Sequence, residues 1–101
     1  MDMQQAARNT AQRIDQSSGV GFAAMAFEND FMRAVEPTVL ADHANGKLPT
    51  NQEGMLKYLN EQRSIYARMV SGYDKTALGI NIAIKPAANG EPEQIVFSSA
   101  K

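Results

Sequence analysis

The feature that most constrains the fold of this chain is a change in hydrophobic period near residue 76. Before this point, apolar residues recur at steps of three and four, which is typical of amphipathic helices. After it, four aliphatic residues alternate with small or polar ones: Leu78, Ile80, Ile82 and Ile84. Alternation with a period of two is typical of a strand with one buried face. The chain is therefore predicted to begin with helices and to end with strands.

The C-terminal part is predicted to form a β-hairpin from strands Leu78–Lys85 and Gln94–Ser98. A long loop joins them and carries the turn signal Asn89-Gly90. Pro86 and Pro92 flank this loop and limit the strands, because proline has no backbone N–H for the ladder. A two-stranded hairpin is only marginally stable in water. Its aliphatic face must therefore be covered by the helices or by a strand from another chain.

The N-terminal part carries three helical patterns. Met1–Gln16 has an apolar stripe made mostly of alanine, which predicts either a helix that needs a partner surface or a frayed tail. The next segment begins at Val20 and has a wide apolar face. It is expected to stop by Glu36, because Pro37 disfavours helical geometry in the residue before it. A separate short helix is then predicted over Thr38–Ala44.

The clearest local signal is a capping box at residues 50–53, in which Thr50 and Glu53 each satisfy a backbone N–H of the other. It predicts a helix over Asn51–Ser71, closed by Gly72 as a C-terminal cap. The predicted class is α+β and mainly helical, with two to four helices followed by a C-terminal β-hairpin packed on them. Residues 1–18 are assigned to an N-terminal helix or flexible tail, and residues 19–101 to a single small domain.

Composition excludes several classes of function. The chain has 101 residues, a formal net charge of −1 and no cysteine. Disulfides, thiolate catalysis and cysteine-ligated zinc are therefore excluded. The longest apolar run, residues 19–27, has nine residues, whereas a membrane-spanning helix needs about 20. No basic region followed by a long apolar stretch opens the chain. The prediction is a soluble, cytoplasmic protein without a membrane partner.

No catalytic, cofactor-binding or metal-binding residues are assigned. His43 is the single histidine, and its neighbour Asp42 could orient it as a general base. Nothing near it resembles a nucleophile elbow, so a surface histidine is the preferred interpretation. The acidic residues do not have the spacing of a calcium loop. We therefore predict that the protein is not an enzyme and that it binds no cofactor.

The first functional hypothesis is a small non-enzymatic protein-interaction module, acting as an adaptor, inhibitor or assembly subunit. It would bind a protein partner, self-associate as a homodimer, or do both. Methionines and aromatic residues on wide helix faces favour this hypothesis, because both residue types are common at interfaces. The candidate partner-binding residues are Phe22, Phe27, Phe31, Met32, Tyr66, Met69, Ile80, Ile82 and Phe97.

The alternative hypothesis is a small dimeric DNA-binding regulator that uses the outward face of helix 51–71. Residue spacing places Lys57, Asn60, Ser64 and Arg68 on that face. The near-zero net charge argues against nucleic acid as a partner, since phosphate contacts need an excess of basic residues. A dimer can concentrate basic charge that one copy lacks, which keeps this alternative open.

Overall fold

Three helices followed by an antiparallel hairpin confirm the predicted α+β class. The computed structural model describes residues 3–16, 19–73, 80–88, 90 and 93–99. The elements are α1 (Met3–Asp15), α2 (Val20–Ala44), α3 (Gln52–Tyr73), β1 (Ile80–Lys85) and β2 (Gln94–Ser99). The molecule is flat, measuring 43 × 36 × 19 Å along its principal axes. Helix α1 packs on α2 and α3, and the hairpin packs on the same two helices.

The predicted helix boundary at Glu36 is wrong, because α2 continues through Pro37 to Ala44 as one helix of 25 residues. Proline in a helix removes the hydrogen bond to the carbonyl four residues earlier, here that of Arg33. Both Arg33 and Pro37 are exposed, so water can serve the freed carbonyl. The predicted separate helix over residues 38–44 is the last part of α2.

The start of α3 also differs from its prediction. The cap is Asn51 rather than Thr50, since the Gly54 backbone N–H donates to Asn51 Oδ1 at 2.6 Å. The Met55 N–H donates to the Asn51 carbonyl at 3.0 Å, which closes the first helical turn. At the other end α3 runs to Tyr73, so Gly72 lies inside the helix instead of capping it.

The hairpin has the predicted antiparallel arrangement. Its register pairs Ile80 with Ser99, Ile82 with Phe97 and Lys85 with Gln94. Strand β1 begins at Ile80, and the predicted strand residue 78 and turn residue 89 lie outside the described residues. Gly90 has φ 79°, the left-handed region expected for the turn. Alternation turns one face of β1 to the helices, with Ile80 buried and Ile82 half-buried.

An aromatic cluster forms the centre of the core. The Phe27 ring lies 5.5 Å from the Tyr66 ring and 5.4 Å from the Phe97 ring, centroid to centroid. It therefore connects α2 to both α3 and β2. Burial of one such side chain stabilises the fold by about 1.5–3 kcal/mol. Helix α1 adds small buried residues, Ala7 and Ala11, which allow its backbone to approach this cluster closely.

A buried polar network joins the three helices beside this cluster. Thr10 Oγ1 lies 2.6 Å from Tyr66 Oη, and it donates to Asp30 Oδ2 at 2.9 Å or to the Ala6 carbonyl at 3.0 Å. Because both of these acceptors compete for the single Thr10 proton, the Tyr66 hydroxyl donates to Thr10. Arg13 Nε lies 3.5 Å from the same Asp30 oxygen. Burial raises the pKa of Tyr66 and the nearby Asp30 charge also raises it, whereas Thr10 opposes both because its hydroxyl can turn to donate to the ionised phenolate oxygen.

Candidate protein-interaction surface

Exposed apolar side chains are concentrated on α2. Isolated exposed hydrophobic residues are normal on protein surfaces, whereas several on one face call for an explanation. The large exposed apolar residues of the described chain are Phe22, Met25, Met32, Leu40, Leu56, Ile65, Tyr73 and Val96. Four of these eight lie on α2.

We call Phe22, Met25, Met32 and Leu40 the α2 stripe. Successive members are three, seven and eight residues apart, spacings that place them along one side of a helix. Their exposed fractions are 47%, 55%, 54% and 61%. The stripe spans 19 residues and is about 27 Å long. Three exposed polar residues, Asn29, Arg33 and Glu36, lie on the same side. The stripe is thus a long apolar surface interrupted by polar groups.

The last third of α2 belongs to a segment that has no core of its own. None of residues 36–63 is buried, although the structure describes all 28 of them. We call this segment, which contains the end of α2, the connection and the first half of α3, the arm. Leu40 and Leu56 are its most exposed aliphatic side chains, at 61% and 56%. The arm contacts the core through partly buried groups, with Val39 packed against the core cluster and the Arg63 guanidinium 5.0 Å above the Phe31 ring.

One polar contact holds the two halves of the arm together. The Tyr58 hydroxyl donates to Asp42 Oδ2 at 2.5 Å. Desolvation, this hydrogen bond and the negative charge of Asp42 together raise the pKa of Tyr58 to about 12. The neighbouring His43 is exposed, and the Asp42 carboxylate that could have oriented it is bonded to Tyr58 instead.

A groove runs beside the open edge of the hairpin. In the described part of the chain, β2 pairs with β1 alone, so its other edge is free. The groove has a volume of about 430 Å³ and is lined by Ala24, Glu28, Asn60, Arg63, Glu93, Gln94, Ile95 and Phe97. It therefore lies between β2, α2 and α3.

The acids that line this groove are paired with basic residues. Arg63 Nε lies 2.7 Å from Glu28 Oε1, a charge contact whose N–H is not aligned for a hydrogen bond. The Arg63 Nη1 donates to Asn60 Oδ1 at 2.8 Å. Arg68 Nη2 donates to Glu93 Oε2 at 3.0 Å. Both acids that line the groove thus have a basic partner, although Arg68 lies outside the lining itself.

The candidate partner-binding residues divide between core and surface. Phe27, Phe31, Tyr66 and Ile80 are buried in the core, so they are not available at the surface and the interface assignment is corrected for these four. They were proposed for the interface because periodicity identifies an apolar face without saying what covers it. Met69, Ile82 and Phe97 are half-buried against the core, while Phe22 and Met32 are exposed.

The proposed nucleic-acid face is not assembled. Ser64 is buried, with 3% of its surface exposed, so it does not share an outward face with Lys57. Arg68 is exposed but bonded to Glu93, and Asn60 is bonded to Arg63. The α3 helix turns Ser64 inward because its neighbours Tyr66, Ala67 and Val70 define the buried side.

Six of the eight large exposed apolar residues are absent from the candidate list, among them Met25, Leu40 and Val96. The signal for Met25 was present, since it lies seven residues before Met32 and therefore on the same face. Leu40 was assigned to a separate helix, which hid its alignment with this face. The outward position of Val96 follows only from the pairing of β2, in which Phe97 turns towards the helices.

Among the described residues, no group of three or more histidine or acidic side chains is close enough to hold a metal ion. The described helices also include none that is long and apolar enough to cross a membrane. Comparison with protein-family models, with curated proteins and with solved structures finds no match to this chain.

Proposed function

We propose that this protein is a small non-enzymatic protein-interaction module and that its contact surface is the α2 stripe. The observation that carries this proposal is the exposure of four large apolar side chains along one side of a single helix. Methionine and phenylalanine are flexible and aromatic residues of the kind enriched at protein interfaces. The polar residues Asn29 and Glu36 within the stripe favour a protein partner over the interior of a membrane.

The arm supports the same function. A segment of 28 residues without one buried side chain loses conformational entropy on folding and gains little hydrophobic stabilisation in return. Binding of a partner over Leu40, where the arm and the stripe meet, would supply the missing burial. Such a protein acts by stoichiometric association, as an adaptor, an inhibitor or an assembly subunit.

The experiment compares charge insertions inside and outside the stripe. Met32→Glu places a carboxylate in the middle of the stripe, at a side chain that is 54% exposed. Ile65→Glu is the matched control, because Ile65 is also exposed and helical but lies on α3. Association is measured by sedimentation equilibrium of the purified chain and by quantified retention of a partner from a host extract. Circular dichroism checks that both variants keep the helical fold.

We expect the wild-type chain to associate, either with itself or with one protein at fixed stoichiometry. Met32→Glu should weaken this association at least about tenfold, equivalent to about 1.4 kcal/mol, while Ile65→Glu leaves it unchanged. Equal effects of the two substitutions, or a wild-type chain that binds neither itself nor any protein, would contradict the proposal.

A further inference from the structure

We infer that the partner is a second copy of this chain, joined edge to edge through β2 so that two hairpins form one four-stranded sheet. The inference rests on the proposed function and specifies its partner and geometry. Three properties of the surface beside β2 lead to it: an open strand edge, a groove whose acids are already paired, and the position of the α2 stripe.

The edge of β2 lacks the features that normally prevent strand addition. Natural edge strands are protected by charged side chains, proline or bulges. Residues Gln94–Ser99 contain no charge and no proline, and the register with β1 runs through all six residues without a bulge. An extended segment can therefore pair along this edge through its backbone groups.

The groove beside this edge favours an uncharged occupant. Its acids are already paired, Glu28 with Arg63 and Glu93 with Arg68. An acidic or basic peptide would lose solvation there without gaining an opposite charge. The β2 strand of a second copy is uncharged and alternates apolar with polar residues, which matches the groove. Antiparallel pairing of two β2 strands also produces the self-complementary contact of a two-fold dimer.

The α2 stripe borders the same groove. Ala24 and Glu28 line the groove from α2. Met25 lies three residues before Glu28 and Met32 four residues after it, so both are neighbours of Glu28 on the helix surface. A second copy placed along β2 would therefore bring its own α2 towards these methionines, and one contact would cover both unpartnered surfaces.

The combined area is that of a weak dimer. The six-residue strand edge, about 20 Å by 10 Å, offers a footprint of roughly 200 Å². The stripe, about 27 Å by 10 Å, adds roughly 270 Å². Neither alone is adequate, but together they provide more than half of the roughly 800 Å² per partner of a standard interface. We expect a dimer with a dissociation constant of about 1 μM or weaker.

Cysteine cross-linking tests this geometry directly, because the natural chain contains no cysteine. Single cysteines are introduced on the outward face of β2 as Val96→Cys and Ser98→Cys. Exposed β1 positions provide the controls, Asn81→Cys and Ala83→Cys. Each full-length variant is oxidised alone. The two cysteine variants of the same strand are also mixed and oxidised together. These combinations sample every antiparallel register near the two-fold axis.

We expect disulfide dimers from the β2 cysteines and none from the β1 cysteines. In the proposed sheet, β1 of one copy is three strand spacings from β1 of the other, about 14 Å. A disulfide needs Cα atoms within about 7 Å. Adding Met32→Glu to a β2 cysteine variant should lower the yield of cross-linked dimer severalfold, because the same dimer buries the stripe.

The possible failures are distinguishable. Cross-linking through β1 alone, or equally through β1 and β2, would overturn the inference. A wild-type dimer in sedimentation without β2 cross-links would overturn it too, while leaving the α2 stripe as the contact surface. A chain that is monomeric up to about 1 mM and gives no β2 cross-links would show that the partner is a different protein.

Discussion

The hydroxyl of Thr10 is predicted to contribute more to stability than that of Tyr66, although the two are bonded to each other. Tyr66 is fully buried, and its hydroxyl donates to Thr10 Oγ1 at 2.6 Å. Thr10→Val keeps the branched shape of the side chain but removes the acceptor. The Tyr66 hydroxyl then stays in the core without the bond that it makes in the native chain.

The magnitudes follow from which group is left unpaired. In Tyr66→Phe, Thr10 still donates to Asp30 or to the Ala6 carbonyl, so the loss is that of one net hydrogen bond, about 1 kcal/mol. In Thr10→Val the buried hydroxyl loses its partner as well, and the free energy of unfolding should fall by about 2–3 kcal/mol. The double variant leaves no buried hydroxyl without a partner, and its free energy of unfolding should fall by only about 1.5 kcal/mol.

The assay is urea unfolding followed by circular dichroism for the wild type, both single variants and the double variant. The double variant should be more stable than Thr10→Val alone, with a coupling of about 2 kcal/mol between the two sites. In thermal unfolding, Thr10→Val should lower Tm by about 8–20 °C. Thr50→Val is the control, because Thr50 is exposed, and it should change stability by less than about 0.5 kcal/mol. The reasoning would be refuted if the stability losses of the two single variants added up to that of the double variant, or if Thr10→Val did not change stability.

Two further predictions concern the arm. Because the folded pKa of Tyr58 is raised from 10.0 to about 12, its stabilising effect is complete below pH 10 and declines as pH rises towards 12. Unfolding free energies measured across this range should decline less steeply in Tyr58→Phe, and identical slopes would count against the Tyr58–Asp42 contact. Asn51→Ala should lower stability by about 1 kcal/mol, because it removes the acceptor for the Gly54 N–H. Thr50→Ala should have little effect on stability in the same urea titration. A larger loss of stability in Thr50→Ala than in Asn51→Ala would instead identify Thr50 as the cap.

The elements of this fold could be predicted where local patterns are strong. The change of period near residue 76 separates the helices from the hairpin, since side-chain direction repeats with each type of backbone. Boundaries were harder to predict, because they depend on competition between neighbours. At Pro37 the preference of the preceding residue for non-helical geometry did not end the helix, and α2 continues to Ala44. At residues 50–51 two adjacent polar side chains could each cap α3, and the cap is Asn51.

The sequence by itself determined the order of helices and strands, the near-neutral charge and the lack of thiol chemistry. Only the tertiary structure decided which apolar residues face solvent. Phe31 and Met32 are adjacent and both apolar, yet one is fully buried and the other is 54% exposed. The pattern of α2 is apolar on most sides, so periodicity could not choose its inner face. Packing of α2 against α1, Tyr66 and Phe97 selected the inner face and left Met25 and Met32 at the surface.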